Sequence, residues 1–131
     1  MSWWPTVFQR GLRVPAQEIR IIRSPIPKSE LTRLAAAGFG DMVKAVVDVS
    51  RRIMAISGEL HSDEEALLLS DGSRQQDLWG INLYPSETES DFVEFDSMIN
   101  VRPSQNNRSR GVEDSALRET IREIVSSLVV R

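Results

Sequence analysis

Two β-strand patterns separated by a short polar segment place the tightest constraint on the fold of this chain. Residues 78–84 and 92–102 both alternate between apolar and polar side chains, the period of a strand that turns one face to a core. About seven residues, 85–91, join the two patterns, whereas a parallel crossover needs about a dozen or more. The sequence therefore predicts that these strands are antiparallel neighbours in one sheet.

The alternation also predicts which side chains share a face. Trp79, Ile81 and Leu83 form an apolar face, which we expect to lie on the core. The opposite face carries Asn82, Tyr84, Phe92, Glu94, Asp96, Met98, Asn100 and Arg102, and Lys44 and Asp48 of an earlier strand extend it. Such a face is either the solvated side of an ordinary antiparallel sheet or the lining of a pocket or partner surface.

The remaining patterns predict the order β-α-β-β-α-β-β-α. Strands are expected near residues 19–23, 42–50 and 53–57, and helices from Ser29, from Ser62 and from Glu113 or Asp114. The last helix has an apolar stripe spaced by three and four residues, which indicates packing on a core. We predict an α+β fold with a single, largely antiparallel sheet of about five strands and three helices, mainly on one face.

Composition excludes several classes of function. The chain has 131 residues, which favours one domain, and no cysteine, which excludes disulfides and thiolate chemistry. A single histidine excludes a multi-histidine metal site, and we expect no resident metal and no cofactor. A net charge of -3 disfavours a general nucleic-acid binder, and no apolar run approaches the length of a membrane span.

Four residues are candidates for acid–base chemistry: Asp48, His61, Glu94 and Asp96. His61 lies in the segment Gly58–Glu65, in which Ser62 and Glu65 have the spacing of a helix capping box. Capping explains Ser62, Asp63, Glu64 and Glu65 without a ligand but leaves Glu59 and His61 unexplained. A carboxylate–imidazole metal site and a general-base role for His61 stay open as alternatives. Whether the protein catalyses a reaction stays open at this stage.

A loop with three arginines follows the second strand pattern. Arg102, Arg108 and Arg110 could grip a phosphate or carboxylate, since guanidinium groups bind such oxyanions in pairs. The weak candidates for ligand binding are therefore Asn82, Asn100, Arg102, Asn107, Arg108 and Arg110. The alternative is a solvated loop whose arginines meet surface carboxylates.

The first residues differ in character from those that follow. Residues 1–18 contain Trp3, Trp4, Arg10 and Arg13 but no acidic residue before Glu18, and they lack the apolar region of a secretory signal. We interpret residues 1–18 as an N-terminal extension and residues 19–131 as a single α+β domain. A cytoplasmic location is the corresponding expectation.

Two long segments carry a resemblance to a known family. They are GDMVKAVVDVSRRIMAISGELHSDEEALLLSDGSRQQDLWGINLYP, residues 40–85, and EFDSMINVRPSQNNRSRGVED, residues 94–114. Both resemble a small family of uncharacterised prokaryotic proteins that is known only as a domain of unknown function. The resemblance covers residues 19–129 and implies an intracellular protein, but it supplies no activity, cofactor or catalytic residue.

Three functional hypotheses follow. The first is an interaction module that uses the polar sheet face and the loop 102–110, with an unidentified protein partner or a second copy of the chain as a dimer. The second is a small-ligand binder or enzyme for an anionic substrate, acting through Asp48, Glu94, Asp96, Arg102 and Arg108. The third is RNA contact through the loop, with Trp79 or Tyr84 as a stacking surface.

Overall fold

The computed structural model describes residues 18–131, which form three α-helices and seven β-strands. The helices are α1 (Lys28–Ala37), α2 (His61–Ser70) and α3 (Ser115–Leu128). The strands are β1 (Arg20–Ile22), β2 (Ile26–Pro27), β3 (Val43–Asp48), β4 (Ile53–Ile56), β5 (Leu78–Leu83), β6 (Val93–Glu94) and β7 (Val129–Val130). Short 3₁₀ turns lie at Gln75–Asp77, Met98–Asn100 and Pro103–Gln105. The predicted element order is present, with β2 and β7 added to it.

Five strands form one antiparallel sheet in the order β1-β4-β3-β5-β6. The central strand β3 pairs with β5 along its length, so that Lys44 lies opposite Asn82 and Asp48 opposite Leu78. The edge strand β6 pairs with the end of β5, where Asn82 lies opposite Glu94. β2 and β7 form a separate parallel pair. The predicted α+β class and the antiparallel pairing of the two central patterns are confirmed.

Helices cover both faces of this sheet. On one face, α1 and α3 pack against the side chains of β3 and β5 that include Ala45, Val47, Trp79, Ile81 and Leu83. On the opposite face, Leu68 of α2 packs against Val46 and Leu78. Two of the three helices share a face, as predicted, and the apolar parity of β5 is correct. The face that was expected to be open carries α2.

The prediction of one continuous strand over residues 92–102 is wrong beyond Glu94. After β6 the chain leaves the sheet and forms the turn Met98–Asn100, in which the Ser97 side chain accepts a hydrogen bond from the Ile99 amide. The side chain of Asn100 then takes the place of a neighbouring strand, since it bonds to both the amide and the carbonyl of Gly80. A side chain at Gly80 would meet Ser97 at 2.6 Å, so glycine permits this close approach.

The capping box predicted from Ser62 and Glu65 is also absent. Helix α2 begins at His61, its N-cap is Leu60, and no side chain caps it. By contrast, α3 begins as predicted, because the Asp114 carboxylate accepts hydrogen bonds from the amides of Ala116 and Leu117. His61 therefore occupies the first turn of α2, where it faces the sheet.

The predicted extension, residues 1–18, lies outside the described residues except for Glu18. Within residues 18–131, no helix combines the length and apolar character that a membrane crossing requires.

Candidate functional site

A cluster of polar side chains lies between the first turn of α2 and the ends of β3, β5 and β6. Cross-strand pairing sets Lys44, Asn82 and Glu94 side by side in one row, since each lies opposite the next in the register. His61 and Glu64 are one turn apart in α2 and are buried on the same face. We call the following set the Asn82 cluster: Lys44, His61, Glu64, Asn82, Tyr84 and Glu94.

Asn82 is the centre of the cluster. Its side-chain nitrogen donates to Glu94 Oε1 at 2.9 Å and to the Asp96 carbonyl at 3.3 Å. The Tyr84 hydroxyl donates to the same Glu94 oxygen at 3.0 Å. Asn82 is only 7% exposed, and its oxygen Oδ1 is buried without a hydrogen bond of normal geometry. The Asn82 side chain also interacts with His61. The cluster thus contains one buried acceptor without a well-aligned hydrogen bond.

His61 is buried in a defined orientation. Its Nε2 lies 2.8 Å from the Ile81 carbonyl, which can only accept, so Nε2 carries the proton and Nδ1 is left as the acceptor. Burial lowers the pKa of His61, and Lys44 acts in the same direction. The Ile81 carbonyl, Asp96 and the Asn82 amide oppose that shift. His61 is therefore neutral at neutral pH.

Glu64 has the opposite shift. It is fully buried, and burial raises its pKa well above the usual range, although the Gly58 amide and Lys44 oppose the shift. Its Oε2 accepts from the Gly58 amide at 2.8 Å, while Oε1 is buried without a partner. A side chain at Gly58 would lie 2.8 Å from Glu64 Cγ, so glycine is needed for this contact. Burial thus shifts the pKa values of Glu64 and His61, one turn apart in α2, in opposite directions.

Tyr84 closes the outer side of the cluster. Its pKa is raised by partial burial first, and then by its hydrogen bond to Glu94 and by the negative charges of Asp41 and Asp96. The phenol therefore stays protonated and donates to Glu94. Asp96 is itself ion-paired, with its Oδ1 lying 2.6 Å from Arg110 Nε.

Asp48 lies away from this cluster, and its contacts are those of a turn. One of its carboxylate oxygens accepts from the amides of Ser50 and Arg51, and the other accepts from the Ser73 hydroxyl at 2.6 Å. Asp48 and Lys44 are four residues apart on β3, roughly 13 Å along a strand. The sequence placed both on one face correctly, but Asp48 serves the β3–β4 connection.

Asn100 and Asn107 are buried and fully engaged with backbone. Besides its bonds to Gly80, Asn100 donates to the Arg110 carbonyl. The Asn107 side chain donates to the carbonyls of Asn100 and Gly111 and accepts from the Glu113 amide. Both asparagines hold the segment after β6 in place, and neither side chain faces the Asn82 cluster through a hydrogen bond.

Arg102 is also committed to the fold. Its guanidinium donates to the carbonyls of Ile99, Gln75 and Leu78, and its centre lies 4.2 Å from the Trp79 ring centroid. Burial lowers its pKa. The stacking partner proposed for RNA, Trp79, is therefore buried beneath an arginine of the protein itself.

The loop that was predicted to hold an anion contains its own carboxylate. Glu113 Oε2 accepts from the backbone amides of Arg108 and Ser109, both at 2.8 Å. These two hydrogen bonds lower the pKa of Glu113. Arg108 is exposed and Arg110 pairs with Asp96, so the three arginines do not converge on one point.

Of the residues proposed from the sequence, the structure brings His61, Asn82, Glu94 and Asp96 together. Glu64 was attributed to helix capping and missed as a member of the site. A carboxylate on the same side of a helix as a histidine was the available signal, because residues three apart share a helix face. Lys44 and Tyr84 were placed on the correct sheet face but were not proposed as site residues.

Within residues 18–131, no group of three or more His, Asp or Glu side chains is arranged to hold a metal ion. A family model described as "Protein of unknown function (DUF5674)" matches residues 20–128. Comparisons with curated proteins and with solved structures gave no significant match.

Proposed function

Since the chain belongs to DUF5674, a family of proteins of unknown function, we propose a function from its geometry: it binds a small polar molecule at the Asn82 cluster. The observation that carries this proposal is the pair of buried oxygens without partners, Asn82 Oδ1 and Glu64 Oε1. A buried polar atom without a hydrogen bond costs about 1–3 kcal/mol. A ligand that donates to Asn82 Oδ1, and that accepts a hydrogen bond from Glu64 Oε1 when Glu64 is protonated, recovers that free energy.

The surroundings support the same proposal. Ser57, whose amide donates to the Lys44 carbonyl, contributes another buried side-chain oxygen without a partner, and Glu65 Oε2 is a fourth among the described residues. Native folds leave few such atoms, and perturbed acidity in a partly buried cluster is typical of binding and catalytic sites. Three of these four atoms lie in the cluster or next to it in the sheet.

The chemistry available at the cluster is proton transfer. His61 Nδ1 can accept a proton from a bound molecule, and protonated Glu64 can donate one. Pairs of groups whose surroundings push their pKa values in opposite directions are a common basis for acid–base roles. We propose these two roles for a ligand that is a substrate.

The geometry moves this proposal away from an anionic substrate held by arginines. Asp48 is bonded to backbone amides and to the Ser73 hydroxyl, and Arg102 is bonded to backbone carbonyls. Arg108 belongs to a loop whose backbone amides bond to Glu113. Of the residues that the sequence suggested for an anionic substrate, only Glu94 and Asp96 lie at the Asn82 cluster.

A titration by ¹H–¹⁵N NMR against a panel of small amines, carboxylates, amides and nucleosides tests the proposal. We expect at least one compound to shift the amide signals of Lys44, Asn82 and Glu94. Asn82→Ala should weaken the binding of that compound about tenfold, because it removes one charge-assisted hydrogen bond. Arg108→Ala is the matched control and should leave the affinity unchanged. A panel in which no compound moves these signals counts against a ligand site here.

An interaction module is the second candidate, and apolar exposure supports it. Met98 is 65% exposed and Val101 and Leu69 are also exposed, on the turn and the helix that cover the polar sheet face. Sedimentation velocity tests self-association: dimers that Met98→Ser dissociates would support it, and monomers at all concentrations would contradict it. With either function, we propose the cytoplasmic location that the sequence led us to expect.

A further inference from the structure

Two opposite charges lie at the ends of the row that crosses the sheet at Asn82. Lys44 is on β3, Asn82 on β5 and Glu94 on β6, each opposite the next. Neighbouring strands are about 4.8 Å apart, so the backbones of Lys44 and Glu94 are about 10 Å apart. Asn82, whose side-chain oxygen is buried, therefore lies between a positively and a negatively charged residue.

These two charges do not neutralise each other. Within residues 18–131, neither Lys44 nor Glu94 takes part in a salt bridge. Lys44 Nζ lies 5.3 Å from the Phe39 ring centroid, and Glu94 accepts hydrogen bonds from neutral groups. The adjacent carboxylate Asp96 differs, because it pairs with Arg110. One cation and one anion are therefore left at the two ends of the row.

The two titratable groups of α2 at this cluster are buried, and burial favours the uncharged form of each. It lowers the pKa of His61 and raises the pKa of Glu64. What they offer is hydrogen bonding: an acceptor at His61 Nδ1, and the Glu64 carboxyl group. The middle of the row therefore accepts hydrogen bonds without favouring either sign of charge.

From this arrangement, and resting on the proposed ligand site, we infer that the ligand is a small zwitterion. Its carboxylate or phosphate meets Lys44, and its ammonium donates to Glu94 and to Asn82 Oδ1. A simple amine gains nothing from Lys44 and is repelled by it. A simple carboxylate is repelled by Glu94, with Asp41 and Asp96 adding negative charge near Tyr84. Because the site repels both a simple amine and a simple carboxylate, it selects a molecule that carries both groups.

Three probes of equal chain length separate these possibilities: 4-aminobutyrate, butylamine and butyrate. Each is titrated into the full-length protein and followed by the amide signals of Lys44, Asn82 and Glu94. We expect 4-aminobutyrate to bind about tenfold more tightly than either of the other two, since each end adds a charge-assisted contact.

Substitutions at Lys44 and Glu94 should each remove the contribution of one end of the ligand. Lys44→Met should reduce the affinity for 4-aminobutyrate to that for butylamine, and Glu94→Gln should reduce it to that for butyrate. Lys44→Arg keeps the charge and should keep the preference for the zwitterion. Both positions are at least partly exposed, and a well-dispersed NMR spectrum of each variant verifies folding.

The outcomes distinguish this inference from the proposal on which it rests. Equal binding of butylamine and 4-aminobutyrate overturns the zwitterion while leaving a ligand site at the cluster. Binding of only neutral compounds from the wider panel likewise overturns the zwitterion and leaves a ligand site at the cluster. If no compound of either set moves the cluster signals, the ligand site and the zwitterion both fail.

Discussion

Three buried asparagines show how one residue type serves two purposes at the scale of single residues. The side chains of Asn100 and Asn107 bond to backbone on both the oxygen and the nitrogen. The Asn82 nitrogen donates to the Glu94 side chain and to the Asp96 carbonyl, while its oxygen has no hydrogen bond of normal geometry. Burial alone therefore does not single out Asn82; its oxygen without a well-aligned hydrogen bond does, and the proposed ligand site rests on it.

The protonation of Glu64 gives a prediction on pH. Its raised pKa means that the folded protein binds a proton where the unfolded chain, with a glutamate pKa of about 4.3, has released it. The Glu64 contribution to stability is therefore present below about pH 4.3 and is lost as pH rises through the folded pKa. In Glu64→Gln, which can still accept from Gly58, the free energy of unfolding should fall less with rising pH than in wild type.

Urea denaturation from pH 4 to pH 8 measures this difference. His61 has the opposite sign, because its lowered pKa makes the folded state less stable as pH falls below about 6.5. That contribution is present in both proteins and is removed by comparing them. Parallel pH profiles for wild type and Glu64→Gln would show that Glu64 ionises normally in the fold.

At the scale of elements, the segment after β6 is ordered by side chain–backbone hydrogen bonds instead of strand pairing. Arg102 joins it to the turn Gln75–Asp77 and to the start of β5, and Asn107 closes it on itself. Alternating polarity over residues 92–102 predicted a strand, but burial departs from the alternation after Ser97, since Asn100 is buried and Val101 is exposed. The partners that decide between the two are about twenty or more residues away in the chain.

The role of Arg102 as a connector gives a prediction on stability. Arg102→Ala removes several hydrogen bonds to carbonyls and the contact with Trp79, so we expect a loss of about 2–4 kcal/mol. Arg102→Lys should recover little of it, since an ammonium cannot reproduce the planar fork that spans three carbonyls. Chemical denaturation measures both.

Arg108→Ala provides the comparison for that experiment. Its side chain is exposed, and the loop is held through the backbone amides of Arg108 and Ser109, which the substitution leaves in place. We expect a change within about 0.5 kcal/mol. Equal losses for the Arg102 and Arg108 variants would contradict the distinction between a connector and a surface side chain.

At the scale of the whole molecule, the sheet is a central layer with helices on both sides. The face of α1 and α3 holds the larger core, and Trp79 lies in it with 4% exposure. The face of α2 holds a smaller apolar cluster, which leaves the end of β5 lined by polar groups. The Asn82 cluster lies beside α2 on this less apolar face.

A substitution at Trp79 tests whether the face of α1 and α3 holds the main core. Trp79→Ala should cost about 3–5 kcal/mol, because it leaves a cavity beneath Arg102 and beside the β3 side chains. Thermal and urea unfolding measure the loss, which is several times that expected for Met98→Ala on the exposed turn. A change below about 1 kcal/mol would mean that the Trp79 face is not the main core.

The sequence by itself determined the element order, the antiparallel pairing at the centre, the apolar parity of β5 and the start of α3 to within Glu113 or Asp114. These features follow from side-chain periodicity and local capping, which act over a few residues. Only the tertiary structure decided that α2 covers the second face, that Arg102 binds backbone, and that Lys44 and Glu64 join His61, Asn82 and Glu94. Such contacts join residues far apart in the chain, and no local pattern records which of them meet.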